Sequence, residues 1–318
     1  MRPSGRLHIG HYHGVLENWV RMQDCYDCFF FVADWHSLTT EYADTSGIAA
    51  STREMVLDWI AFGLDPVKSV VFRQSLVPHH SELNLILSMV TPVSWLERCP
   101  TYKEMQENLE TRDLSTFGFL GYPVLMAADI ILYKAACVPV GHDQLPHLEI
   151  TREIARRFNY LYGNVFPEPE ALLTETPKLP GLDGRKMSKS YGNSIYLSDT
   201  ADETAKKVMS MVTDTERVRR ADPGDPERCV AFNLHRIYVP QEKLDEITSA
   251  CKGAAIGCVD CKKILAGCIN ERLAKFRDHR DELACKPQFV DEILADGSRR
   301  ASQVSDTVMA EVREALKF

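Results

Sequence analysis

Apolar positions in the first 165 residues follow two alternating rhythms. Short unbroken runs, Cys28 to Ala33, Ser69 to Phe72 and Val138 to Val140, have the length and composition of strands buried on both faces. Between them lie longer stretches with a helical repeat. In Gly10 to Gln23, the residues Leu16, Trp19, Val20 and Gln23 fall along one face. A second helix is predicted from about Ser46 to Phe62, where Gly63 and then Pro66 supply the stop. Pro78 opens another, at a position where its missing N–H costs nothing. Helices over Tyr122 to Ala135 and Gln144 to Phe158 complete the set. Such alternation predicts an α/β fold built on a doubly wound parallel sheet, with ligands bound beyond the carboxyl ends of its strands.

Pro167 to Gly184 is rich in Pro, Gly and Thr and reads as a long loop. After about Ile195 the strand signals stop and the pattern becomes charged and helical. The expected division is an α/β domain over residues 1–194 and an all-α domain over 195–318. Seven residues precede His8, too few for the strand that normally leads into a helix at this point of a parallel sheet. The expectation is a chain start upstream of Met1, or a sheet lacking a central strand.

Composition narrows the class. A hydrophobic content of 45% and a charged content of 26% over 318 residues are ordinary for a globular protein with one or two domains. No apolar run reaches the roughly 18 to 20 residues of a membrane helix, and the N-terminus carries no apolar leader, so a cytoplasmic protein without membrane association is expected. The net charge of −8 argues against a non-specific nucleic-acid binder. A specific one remains open, because basic residues cluster at Arg185, Lys186 and Lys189 and at Arg217, Arg219 and Arg220. Ten cysteines in a reducing compartment are expected as thiols or as ligands.

Four patterns carry chemistry. His8 and His11 flank Gly10 and share a face of a helix start, where free N–H groups and partial positive charge already favour phosphate. Gly10 leaves room for close approach of a nucleotide ring. Lys186-Met187-Ser188-Lys189-Ser190 is a polar lysine loop bracketed by Gly181, Gly184 and Gly192, able to close over a triphosphate. Tyr122, Met126 and Asp129 stand at i, i+4 and i+7, a stripe that joins a hydroxyl, a thioether and a carboxylate. It reads as the wall of a pocket for a flat apolar ligand with one hydrogen-bond donor. Cys229, Cys251, Cys258 and Cys261 have the spacing C-x₂₁-C-x₆-C-x₂-C, which suits tetrahedral zinc or a [4Fe–4S] cluster, with Cys268 a substitute ligand. Cys25 and Cys28 run into a strand and read as core packing.

With these stand Arg2-Pro-Ser-Gly-Arg-Leu-His-Ile-Gly-His11, Asp34-Trp-His36, Tyr122-Pro-Val-Leu-Met-Ala-Ala-Asp129, Val138-Pro-Val-Gly-His-Asp-Gln144 and Gly184-Arg-Lys-Met-Ser-Lys-Ser190. Together they resemble the class I aminoacyl-tRNA synthetases over nearly the whole chain. The bacterial tryptophanyl group is the nearest likeness and the tyrosyl group the runner-up. The resemblance implies a Rossmann-like catalytic domain, a helical anticodon-binding domain, a homodimer, and tRNA(Trp), L-tryptophan and ATP with Mg²⁺ as partners. It implies catalytic roles for His8, His11, Lys186 and Lys189, and ATP contacts at Gly10, Gly141, Asp143, Met187, Ser188 and Ser190. Asp143 also reads as a helix N-cap. Asp129 would accept the indole N–H, Met126 pack on the ring, Tyr122 and Gln144 hold the α-ammonium, and His36 line the same pocket. For the four cysteines it implies a [4Fe–4S] cluster, with zinc the alternative. A small-molecule adenylyltransferase and a non-catalytic relative are the competing functions.

Overall fold

The computed structural model describes residues 1–99, 115–173, 179–286 and 288–318. Its strands form two parallel pairs. In the first, β1 (Phe29–Val32) lies against β2 (Val70–Arg73), with Phe29 opposite Val70 and Val32 opposite Arg73. In the second, β3 (Cys137–Val140) lies against β4 (Glu170–Leu173). Parallel pairing joined by helices is what the alternating pattern predicts. β4 is the exception, because it falls inside the stretch expected to be loop. Its residues are half-buried or exposed, so no apolar run announces it. Residues 174–178 of that stretch lie outside the described residues. No strand joins the two pairs among the described residues. The backbone of Met1 lies along the end of β1, its amine donating to Phe31 O at 2.7 Å and its carbonyl accepting from Ala33 N at 2.9 Å.

The helix Ile48–Phe62 is the centre of the largest core, with Met55, Val56 and Trp59 fully buried, and Gly63 ends it at a φ of 120°. Helix Phe117–Ile131 begins earlier than its apolar pattern indicates, because Thr116 caps it by accepting from Phe119 N at 3.2 Å; Pro123 is tolerated inside it. Helices Asp34–Glu41, His79–Val90, Val93–Glu97 and Leu145–Tyr162 fill out the α/β part, and Ala201–Ser210, Val230–Tyr238, Gln241–Lys252, Cys258–Ala284 and Phe289–Leu316 follow it. The Cys258–Ala284 helix packs on Ile48–Phe62, and the last helix returns to lie on β2. At that crossing a Cβ on Gly297 would come within 1.8 Å of Val71 O, so only glycine permits the approach. No described helix is long and apolar enough to cross a membrane.

The first helix is not uniform. Ile9–His11 and Glu17–Met22 are α-helical, but Tyr12–Leu16 between them is a π turn. The helical part of the chain grips this turn. Arg272 Nε donates to Tyr12 OH at 3.1 Å, and Tyr238 OH lies 2.9 Å from His13 Nε2.

Candidate active site

The histidine motif and the lysine loop, far apart in sequence, meet through backbone. Leu197 N donates to Leu7 O at 2.9 Å and Ile9 N to Ile195 O at 3.0 Å. The segment that leaves the lysine loop is thereby zipped antiparallel to the segment that enters the first helix. Leu7, Ile9, Ile195 and Leu197 are all buried, so apolar burial holds the junction.

His8 is the N-cap of the first helix, its Nδ1 accepting from Gly10 N at 3.1 Å, while His11 Nδ1 accepts from His8 N at 3.3 Å. The two rings lie 3.9 Å apart. Burial lowers His8 to about 4, helped by Lys189 and Lys186, and lowers His11 to about 3, helped by His8 and Lys189. Both imidazoles are therefore neutral near pH 7. Since each Nδ1 accepts, each proton sits on Nε2, which makes the pair two uncharged donors. A Cβ on Gly10 would meet the His8 ring at 2.8 Å, so the glycine makes room for the cap itself.

Lys189 Nζ donates to Gly5 O at 2.9 Å and Ser4 O at 3.1 Å, and burial lowers its ammonium to about 8 against the pull of Asp58 and Glu41. Lys186 is exposed. Met187 is buried in the main core and anchors the loop. Asn193 pins it further. Its Oδ1 accepts from Ser188 N at 2.9 Å and its amide donates to Asp183 Oδ1 at 2.7 Å. A Cβ on Gly181 would strike the Asn193 amide at 2.2 Å. The flanking glycines that predict a loose loop thus partly serve a fixed turn; Gly184 and Gly192 supply φ values of 88° and 64°. Ser190 lies in the short turn Lys189–Tyr191.

The stripe on helix Phe117–Ile131 faces a polar network. Asp129 is buried; its Oδ2 lies 2.8 Å from His36 Nε2, and its Oδ1 accepts from Gln74 Nε2 at 2.7 Å and lies 2.6 Å from His80 Nδ1. Burial pushes this carboxyl up, but His36 and His80 overcome it and leave it at about 2. Tyr122 OH lies 3.2 Å from His147 Nε2, and Met126 is half-buried beside them. Gln144 donates to Asp143 Oδ2 at 3.0 Å. Asp143 does not cap the following helix, whose N-cap is Gln144 without a side-chain bond. A Cβ on Gly141 would meet Asp143 Oδ1 at 2.7 Å. His36 and Asp129 are brought together as expected. Gln74, His80, His147 and Asn193 were missed, since each is a lone polar residue with no motif around it.

Cys229, Cys251, Cys258 and Cys261 line one cavity together with Asp214, Arg217 and Gly224; Cys268 does not. Cys258 and Cys261 occupy the first turn of the Cys258–Ala284 helix. Arg217 reaches Cys258 Sγ at 3.9 Å, its Nε is buried without a partner, and Cys261 Sγ lies 3.1 Å from His235 Nε2. Burial raises Cys229, Cys251 and Cys261, the last to about 12, with the neighbouring sulfurs adding to it. Among the described residues no group of three or more His, Cys, Asp or Glu is set to hold a metal ion.

Comparison with known proteins bears on the whole chain. The family described as class I tRNA synthetases (W and Y) matches residues 1–274. A tryptophan–tRNA ligase of Thermotoga maritima is 52% identical over 320 residues, covering 100% of this chain and 98% of that protein. One from Aquifex aeolicus is 44% identical over 388 residues, covering 100% and 98%. The crystal structure of tryptophanyl-tRNA synthetase from Campylobacter jejuni, complexed with ADP and tryptophan, superposes with a TM-score of 0.91 at 33% identity, covering 100% of this chain and 98% of that one.

Proposed function

The chain belongs to the class I tRNA synthetases for tryptophan and tyrosine, and from that premise we propose how its site works. Its reaction is the ligation of tryptophan to tRNA(Trp) at the expense of ATP. The tryptophan carboxylate attacks the α-phosphorus, giving tryptophanyl-adenylate and pyrophosphate; the acyl group then passes to the terminal ribose of the tRNA. A carboxylate is already an anion at neutral pH, so no general base is required. The work is positioning and charge stabilisation. We assign that work to the Nε2–H groups of His8 and His11 and to the ammonium groups of Lys186 and Lys189. Mg²⁺ carried by the triphosphate would neutralise further charge. Gly141, Asp143, Ser188 and Ser190 complete the nucleotide side.

For the amino acid, the carrying observation is Asp129: a buried carboxylate held ionised, ready to accept one N–H. A pocket built on such an acceptor rejects side chains that lack the donor by roughly 10⁴–10⁵-fold. Met126 would pack on the ring, and Tyr122 with Gln144 would take the α-ammonium. The test is ATP–pyrophosphate exchange with tryptophan, tyrosine and no amino acid. Exchange with tryptophan alone is expected; equal exchange with tyrosine would move the assignment to the runner-up.

We read residues 195–318 as the tRNA-binding part, with the exposed Arg219 and Arg220 at the phosphates and Arg217 turned instead into the cysteine cavity, and place the protein in the cytoplasm. A homodimer would cover Leu85, Met89 and Val93, which are exposed. The four-cysteine cavity is proposed to hold a [4Fe–4S] cluster, zinc being the alternative. Its donor set supports this: four sulfurs around one cavity, beside a half-satisfied guanidinium, suit a cation that takes thiolates. Such a group would brace the start of the Cys258–Ala284 helix and take no part in adenylation.

A further inference from the structure

Asp129 Oδ1 is engaged from two sides by fully buried groups: the Gln74 amide at 2.7 Å and His80 Nδ1 at 2.6 Å. His80 is held in turn. Its Nε2 lies 2.7 Å from Tyr133 OH, and the rings of Phe31 and Phe72 sit 5.8 and 5.9 Å from its own. Tyr133 is fixed by stacking on Phe29 at 4.7 Å. The directions of these bonds follow from the ends. A carboxylate only accepts, so His80 Nδ1 carries a proton. With the ring neutral, Nε2 accepts from Tyr133 OH, and the relay runs from Tyr133 O–H to His80 to Asp129. Oδ2 is different. Its partner is His36, whose side chain retains 12% exposure and so sits at the pocket edge.

We propose that His80, fixed by Tyr133, is a positioning and specificity residue of the tryptophan pocket: with Gln74 it saturates Oδ1 of Asp129, so that only Oδ2 is offered to the ring N–H. His36 is then a stand-in donor, occupying Oδ2 until the indole takes its place. This rests on the reading of Asp129 as the indole acceptor. A carboxylate free to rotate would present either oxygen and lose directional selectivity. One anchored along a single edge accepts from one direction.

The relay also sets the charge. The groups facing Asp129 are His36, His80, Tyr133 and the N-terminal amine of Met1. Removing His80 takes away a donor that keeps the carboxyl ionised, so its pKa must rise and tryptophan recognition must fail at a higher pH than in the native protein.

The experiment compares His80→Leu, His80→Asn, Tyr133→Phe and Asp129→Asn by pyrophosphate exchange from pH 5 to 8. Each variant is assayed with tryptophan and with benzothienylalanine, in which sulfur replaces the ring N–H. His80→Leu is expected to lower kcat/KM for tryptophan by about ten- to a hundredfold, mostly through KM, with the KM for ATP nearly unchanged. It should narrow selectivity over the sulfur analogue and move the acid limb to higher pH. His80→Asn, which keeps a donor near the Nδ1 position, should recover part of each loss. Tyr133→Phe should show the same shifts in smaller measure, and it decides the matter if His80→Leu does not fold. Native selectivity and acid limb in Tyr133→Phe and His80→Leu, with selectivity lost in Asp129→Asn, would overturn the relay alone. Full selectivity in Asp129→Asn would overturn the reading of the pocket itself.

Discussion

Lys189 is the residue whose charge is most exposed to manipulation. Burial brings its ammonium down to about 8, and Ser4 and Gly5 carbonyls, not an acid, hold it in the free protein. The charge is full below that value and lost as pH rises through it. A bound triphosphate stabilises the charged form, so ATP binding near pH 8 should take up protons, measurable by calorimetry in buffers of different ionisation heat. Lys189→Ala should abolish this uptake and slow pyrophosphate exchange by about a hundredfold or more, with tryptophan affinity little changed. An unchanged exchange rate would remove Lys189 from the catalytic set. At this scale the motif residues were legible as patterns: the structure sets the His8 and His11 rings 3.9 Å apart and His36 Nε2 2.8 Å from Asp129 Oδ2. Their supports were not. Gln74, His80 and Asn193 act through hydrogen bonds to residues distant in sequence or hidden in a turn, and a lone buried polar residue leaves no periodic trace.

Among elements, legibility followed burial. β1 and the first three residues of β2 are unbroken apolar runs and read directly, whereas β4 has exposed Glu170 and Leu173 at its ends and reads as loop. The π turn Tyr12–Leu16 left no mark either, because Tyr12 and Leu16 are at i and i+4 and satisfy a helical pattern equally well. The most confined element contact is that of helix Phe289–Leu316 on β2. Gly297→Ala would set a methyl group 1.8 Å from Val71 O, so helix and strand must separate. Overpacking of this kind costs about 1–3 kcal/mol, readable as a lower midpoint in urea denaturation. A midpoint equal to the native one would show that the crossing has slack.

Across the whole molecule, two helices touch both the cysteine cavity and the π turn of the first helix. Cys261 and Arg272 both lie on helix Cys258–Ala284, and His235 and Tyr238 on helix Val230–Tyr238. Cys258→Ser, prepared without oxygen, should lose the brown colour of a cluster and lower tRNA charging more than pyrophosphate exchange. A native protein that is colourless and carries one zinc would select the alternative metal. The π turn gives this arrangement a further property. A π turn spends one residue more than an α turn over the same path, and in an α-helix one residue corresponds to a rotation of about 100°. Helix Glu17–Met22 is therefore out of phase with the turn that His8 and His11 begin, and the helical part grips the junction at Tyr12 and His13. Shortening the turn by a single residue would leave every motif intact yet wind the handle away from the blade: the helical half would still hold the first helix, but would point its histidines elsewhere.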